Sequence, residues 1–138
     1  MSAYDNSDEL QKIMVDLWNT IKQQPEIAGK LLASKLIVQF HYREPNGLIT
    51  IDCSDGKEMF VHGGANTLKP TVEMFMKADT AHDFWLGKVN VPMALLTGQM
   101  SAKGPVNKAL SLLPAIKPAF SLYPAVYKKY GQKSAVSG

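Results

Sequence analysis

The chain of 138 residues has a single cysteine, Cys53, so it forms no internal disulfide. That usage suits a reducing compartment. It has a single arginine, Arg43. With no helix-turn-helix spacing and no zinc-finger or single-strand-binding motif, a nucleic-acid partner is not predicted. It has no long apolar run. The longest stretch free of charge, residues 89–102, holds fourteen residues, including Asn, Pro, Thr, Gly and Gln. A membrane-spanning helix needs about 20 mostly apolar residues, so none is predicted. Histidine occurs only at His41, His62 and His82, never at a zinc-ligand spacing with another His or Cys, so no metal site is predicted. No nucleophile elbow, phosphate-binding loop or dinucleotide fingerprint is present, which leaves no predicted cofactor. The opening "MSAYDNSDEL" lacks the layout of a secretory signal, and the closing "AVSG" is not a peroxisomal tripeptide. These absences together predict a cytoplasmic protein.

What is present fits one globular domain over residues 1–138, with a core at about 7–130. Hydrophobic residues make up 46% of the chain, an ordinary share. The last seven residues, "QKSAVSG", with Gly131 before them, read as a disordered tail over 131–138. Charge is split along the chain. Residues 1–83 hold twelve acids against eight bases, whereas residues 84–138 hold seven lysines and no acid. Such an asymmetry is either a solvated lysine surface or the mark of an anionic partner.

Periodicity predicts the elements. Leu10, Ile13, Met14, Leu17, Trp18 and Ile21 form one stripe of a helix over 7–22, capped by Ser7 or Asp8 and stopped by Pro25. On that stripe Trp18 reads as core rather than ligand contact. Residues 26–35 read as a short helical turn. Leu36, Val38, Phe40 and Tyr42 then alternate with Ile37, Gln39, His41 and Arg43; after the "PNG" turn, Ile49, Ile51 and Cys53 alternate with polar residues. A short strand at 59–62 and an alternating one at 71–77 follow. Tight turns between alternating strands predict an antiparallel sheet with one buried face. Downstream, "ADTAHDFWLGK" predicts a helix capped by Asp79 or Thr80, and "NVPMALLTG" one capped by Asn90. "QMSAKG" predicts a strand. "GPVNKALSLLPAIKPAFSLYPAVYKKYG" is apolar, lysine-bearing and broken by Pro114, Pro118 and Pro124.

Catalytic candidates are sparse. "HGGAN" at His62 has the look of a glycine-rich oxyanion loop, but a plain turn accounts for it as well. Cys53 with a histidine could form a nucleophile pair; a small core residue in an alternating strand is the simpler reading. No catalytic residue is assigned.

Residues 79–120, taken in order, resemble the sterol carrier protein type 2 family. The likeness lies in the capped turn "ADTAHDFWLGK", the helix "NVPMALLTG", the strand and turn "GQMSAKG", and the run "PVNKALSLLPAIKPAF". With the upstream hairpins it covers about residues 10–130. The resemblance implies an α/β (α+β) fold: a curved, five-stranded, mainly antiparallel or mixed sheet covered on one face by helices, with an apolar tunnel between. It implies intracellular binding or transfer of a lipid without covalent chemistry: a fatty acid, fatty acyl-CoA, phospholipid or sterol-like ligand. The tunnel lining it suggests here is Trp85, Met93, Leu96, Met100, Leu110, Leu113, Ile116 and Phe120. Lys103, Lys108, Lys117, Lys128 and Lys129 would meet an anionic headgroup or, transiently, an anionic membrane surface. Two alternatives stay open: a ligand-sensing or accessory module for a lipid-metabolising enzyme, and a small esterase using Cys53, His62 or His82.

Overall fold

Helix α1, Ser7–Lys22, buries the stripe Leu10, Ile13, Met14, Leu17, Trp18 and Ile21. The computed structural model describes residues 2–137, with side chains described through residue 130. The cap of α1 is Asn6, whose side-chain oxygen accepts from the Glu9 amide at 2.8 Å. Ser7 and Asp8, the predicted caps, take the first two positions inside the helix, where the Asp8 carboxylate suits the positive end of the helix dipole. Helix α2, Pro25–Ser34, takes up the stretch 26–35 read as a short helical turn, shifted by one residue, and is a regular α-helix of ten residues. Pro25 sits at its start, where a missing N–H costs nothing. Ile27, Ala28 and Leu31 supply its buried face.

The sheet has five strands in the order β3-β2-β1-β4-β5. They are β1 (Ile37–Arg43), β2 (Gly47–Asp52), β3 (Phe60–Gly63), β4 (Val72–Lys77) and β5 (Met100–Lys103). The pairs β1–β2, β2–β3 and β4–β5 are antiparallel, but β1 and β4 are parallel. The sheet is therefore mixed, which corrects the wholly antiparallel reading drawn from the turns. Tight turns fix only the neighbours β1-β2-β3. Residues 64–71 then carry the chain across to the far side of β1, so β4 enters running the same way as β1.

Register sorts the two faces. Val38, Phe40 and Tyr42 stand beside Val72, Met74 and Met76; Phe40 also pairs with Ile49, Val38 with Ile51, and Met76 with Met100. Cross-strand partners share a face, so this face is almost wholly apolar. The other carries Gln39 against Thr50, His41 against Phe75, and Phe75 against Ser101.

Helix α3 (Ala78–Trp85) follows β4 directly, starting from an extended Lys77 with no side-chain cap. Neither Asp79 nor Thr80 caps it, because no loop separates strand from helix. Asp79 instead accepts from the Ala3 amide at 2.7 Å and the Ser2 hydroxyl at 3.2 Å, and so ties down the N-terminal segment. Helix α4 (Val91–Thr97) is capped by Asn90, which accepts from the Met93 amide at 3.1 Å. After β5 come α5 (Val106–Leu110), α6 (Leu113–Ile116), a 3-10 turn (Lys117–Leu122) and α7 (Tyr123–Ser137). The tail predicted over residues 131–138 lies outside the residues whose side chains are described. By length and composition alone, Val106–Tyr130 is long and apolar enough to cross a membrane, a property that the count of charge-free residues misses. Prolines break the run into short pieces, and it buries Ile116, Ala119, Tyr123 and Val126.

Candidate functional site

An apolar cavity of about 100 Å³ lies between the sheet and the helices. Its floor is the apolar sheet face, with Val38, Phe40, Tyr42, Met74 and Met76. Trp18 of α1 and Trp85 of α3 wall it. Leu110 of α5, Leu113 of α6 and Leu112 in the turn between them, all half-buried, roof it. One long helix would lay a continuous ridge of side chains into the sheet and close this space. Gly104, Pro105 and Pro114 keep the roof in short pieces instead.

Aromatic rings meet in the wall. Trp18 stacks on Phe40 at 5.8 Å and meets Trp85 edge to face at 5.6 Å. No charged side chain lines the cavity. The Ser34 hydroxyl in its wall is already engaged: it donates to the Leu31 carbonyl at 2.6 Å and accepts from the Leu36 amide at 3.2 Å. Burial, aided by Asp52 and Asp55, pushes the Cys53 thiol up to about 11, so it stays protonated at neutral pH. A protonated thiol is a poor nucleophile. His82 and His41 are engaged elsewhere, His82 with the Tyr123 hydroxyl at 2.7 Å and His41 with the Glu73 carboxylate at 3.0 Å. His62 lies in β3 opposite Thr50. Among the described residues no cluster of three His, Cys, Asp or Glu is placed to hold a metal.

Of the residues named from the sequence, Trp85, Met100, Leu110, Leu113 and Ile116 stand together in the wall. Phe120 stands one layer behind, its ring edge to face with Phe84 at 5.1 Å and Trp85 at 5.8 Å. Met93 and Leu96 are corrections: they are 54% and 81% exposed. Helix α4 turns Val91 and Ala94 inward, and Met93 and Leu96, three apart, share the opposite face. The sequence reading missed the sheet floor and Trp18. The signal was there in the alternation of Val38, Phe40 and Tyr42, which puts them on one face. Trp18 is both core and cavity wall, at 4% exposure.

None of the five predicted contact lysines lines the cavity. All are exposed. Lys103 lies over the Phe75 ring at 5.4 Å, on the sheet face away from the cavity. Lys129 pairs with Asp16 at 3.2 Å, which leaves Lys108, Lys117 and Lys128 as the exposed charges of the roofing segment without an ion pair among the described residues.

Comparison with known proteins adds to this geometry. The family model described as "SCP-2 sterol transfer family" matches residues 18–117. Sterol Carrier Protein 2 from Yarrowia lipolytica, in its apo form, is similar with a TM-score of 0.60 and 18% identity, over 83% of this chain and 88% of that one. The sterol carrier protein domain 2 of Helicoverpa armigera is similar with a TM-score of 0.57 and 23% identity, over 75% and 84%. UbiJ-SCP2, a ubiquinone synthesis protein, shares the fold with a TM-score of 0.58 and 10% identity, over 77% and 87%. No curated protein matches the chain significantly.

Proposed function

Because the chain belongs to the SCP-2 sterol transfer family, we propose that it holds a single lipid in the cavity over its sheet and carries it without covalent chemistry. The observation that supports this most is the cavity wall: apolar on every side, and without a charged group. Burying an acyl chain there gains about 0.8 kcal/mol per methylene, enough to draw a long chain from water. At about 100 Å³ the space is well below the roughly 300–1,000 Å³ of a drug-sized ligand site. Loading therefore spreads the half-buried leucines of α5 and α6, the short pieces of the roof. The exposed Lys108, Lys117 and Lys128 on the same segment would bring the protein to an anionic membrane. A single, buried cysteine supports a cytoplasmic setting.

Native mass spectrometry of freshly purified protein, followed by organic extraction, tests the reading. A discrete added mass resolving to fatty acid, acyl-CoA, phospholipid or another lipid is expected. A clean apo mass, together with no uptake of a fluorescent fatty acid, removes it. A second reading, an accessory module for a lipid-metabolising enzyme, draws on UbiJ-SCP2, whose name places it in ubiquinone synthesis. It requires a stable protein partner, so a pull-down recovering none counts against it.

A further inference from the structure

Four large apolar side chains stand exposed among the described residues, and three of them, Leu86, Met93 and Leu96, fall within residues 86–96. Met93 and Leu96 share the outer face of α4; Pro92 and Thr97, also exposed on this helix, carry no charge. The inner face of the same helix is cavity wall, where Val91 lines the apolar space with Phe84 and Trp85 of α3. One short helix thus has the cavity on one side and an unpartnered apolar face on the other. A lone exposed leucine is ordinary, but a group of exposed apolar side chains marks a surface that meets something.

The surroundings say what. Residues 84–138 hold seven lysines and no acid; the last acid before them, Asp83, is on α3. Lys88, exposed, lies just before the α4 cap Asn90. The 3-10 turn that begins at Lys117 abuts the same loop, since a Cβ on Gly87 would lie 3.7 Å from the Phe120 ring. Neither Lys88 nor Lys117 is in an ion pair among the described residues. Lysines around an apolar centre match anionic headgroups around acyl chains. They do not match a second copy of the chain: a two-fold contact sets each patch against its own equivalent, here lysine against lysine. Helix α4 is also only about 10 Å long. That is too short for the roughly 800 Å² that each side of a stable protein interface buries.

We propose that the protein docks on an anionic lipid bilayer through α4 and the loop before it, with Leu96 and Met93 among the acyl chains and Lys88 and Lys117 at the headgroups. In this pose α4 stands between cavity and bilayer, so a ligand moves from one to the other past one short helix rather than through water. The apolar side chains and the lysines act together, because a single weak signal gives only marginal membrane binding. This inference rests on the lipid-cavity reading.

The test sediments wild type, the double variant Met93→Gln with Leu96→Gln, and Phe60→Gln with phosphatidylserine vesicles at low salt. Phe60, the fourth exposed apolar side chain, lies on β3, at the opposite edge of the sheet from β5, against which α4 packs. The double variant should bind at least about ten-fold less, and Phe60→Gln as well as wild type. The melting temperature of the double variant should hold, because both side chains are exposed. An environment-sensitive dye placed through Leu96→Cys should shift to the blue on these vesicles and be quenched by lipids spin-labelled in the acyl chain; the same dye placed through Phe60→Cys should do neither. Cys53 is buried and keeps its proton, so it takes up little dye. Transfer of a fluorescent fatty acid from the vesicles should slow in the double variant, whereas its equilibrium uptake from solution stays at the wild-type level. Equal vesicle binding by wild type and double variant overturns the proposal, as does an unquenched dye at position 96 or transfer that keeps its rate. A wild-type dimer that the double variant turns into a monomer, with vesicle binding unchanged, gives the face to a second copy instead. In each of these cases the lipid cavity still stands. If no fatty acid is taken up even from solution, the cavity reading falls and takes this inference with it.

Discussion

Tyr123 joins residues that are far apart in sequence. Its hydroxyl lies 2.5 Å from that of Tyr4 and 2.7 Å from His82 Nδ1, with both tyrosines buried. Tyr123→Phe leaves the Tyr4 hydroxyl buried without a partner and is expected to cost about 1–3 kcal/mol in urea unfolding. Unchanged stability would mean that water reaches Tyr4. His82 gives this cluster a pH dependence. Burial, reinforced by Lys88, holds His82 below its ordinary value near 6.5, against the opposing pull of Asp83 and Asp79. The unfolded chain therefore binds the proton first. This contribution to stability is whole above pH 6.5 and declines as pH falls through 6.5 toward the folded value. Melting temperatures across pH 7.5 to 5.5 should fall, and less steeply in His82→Gln. An identical slope in both would assign the dependence to other groups.

Among the elements, β5 is held to β4 by an approach that only glycine permits. Gly104 has φ +95°, and a Cβ there would sit 2.3 Å from the Thr71 carbonyl oxygen. Gly104→Ala must push β5 off the sheet edge and is expected to cost at least about 2 kcal/mol. Gly64 has a similar φ of +89° but open space around it. Gly64→Ala therefore isolates the backbone term and should cost about 1 kcal/mol. Equal unfolding midpoints for the two would show that the contact with Thr71 relaxes freely. Helix α4 behaves otherwise. With Leu96 81% exposed, its mutation has no core to disturb.

For the whole molecule, the cavity and the lysines make separate predictions. Ala109 lines the cavity, so Ala109→Phe places a phenyl ring in the open space. At about 100 Å³ the space is smaller than the roughly 150 Å³ that takes benzene, so the ring fills it and leaves no room for an acyl chain. Uptake of a fluorescent fatty acid should be lost while the melting temperature stays within a few degrees; uptake at wild-type level would place the ligand elsewhere. The lysines predict salt-sensitive membrane contact. Each is worth about 1 kcal/mol near an anionic surface. Replacing Lys108, Lys117 and Lys128 by Gln should reduce sedimentation with phosphatidylserine vesicles at least ten-fold at low salt. Neither wild type nor variant should bind at 1 M salt, where screening acts within about 3 Å. Binding indifferent to salt would remove the electrostatic part.

The sequence by itself determined the α1 stripe, the Asn90 cap, the alternating strands and the order of motifs that marks the family, because each depends on neighbours within a few residues. Hydrogen-bond geometry and the periods of helix and strand act locally, so a one-dimensional pattern carries them. The parallel pairing of β1 with β4 was decided only by the crossover of residues 64–71, a route that no local period encodes. The cavity wall was decided by packing between elements. Trp85 and Met100 could be named from their apolar size, yet Met93 and Leu96, just as apolar, face outward because α4 lies on Val91 and Ala94. Trp18 read as one more core residue; only the assembled fold buries its indole N–H without a partner among the described residues. An apolar side chain seeks any burial, and a helix only one turn or two long has too little stripe to say which face receives it.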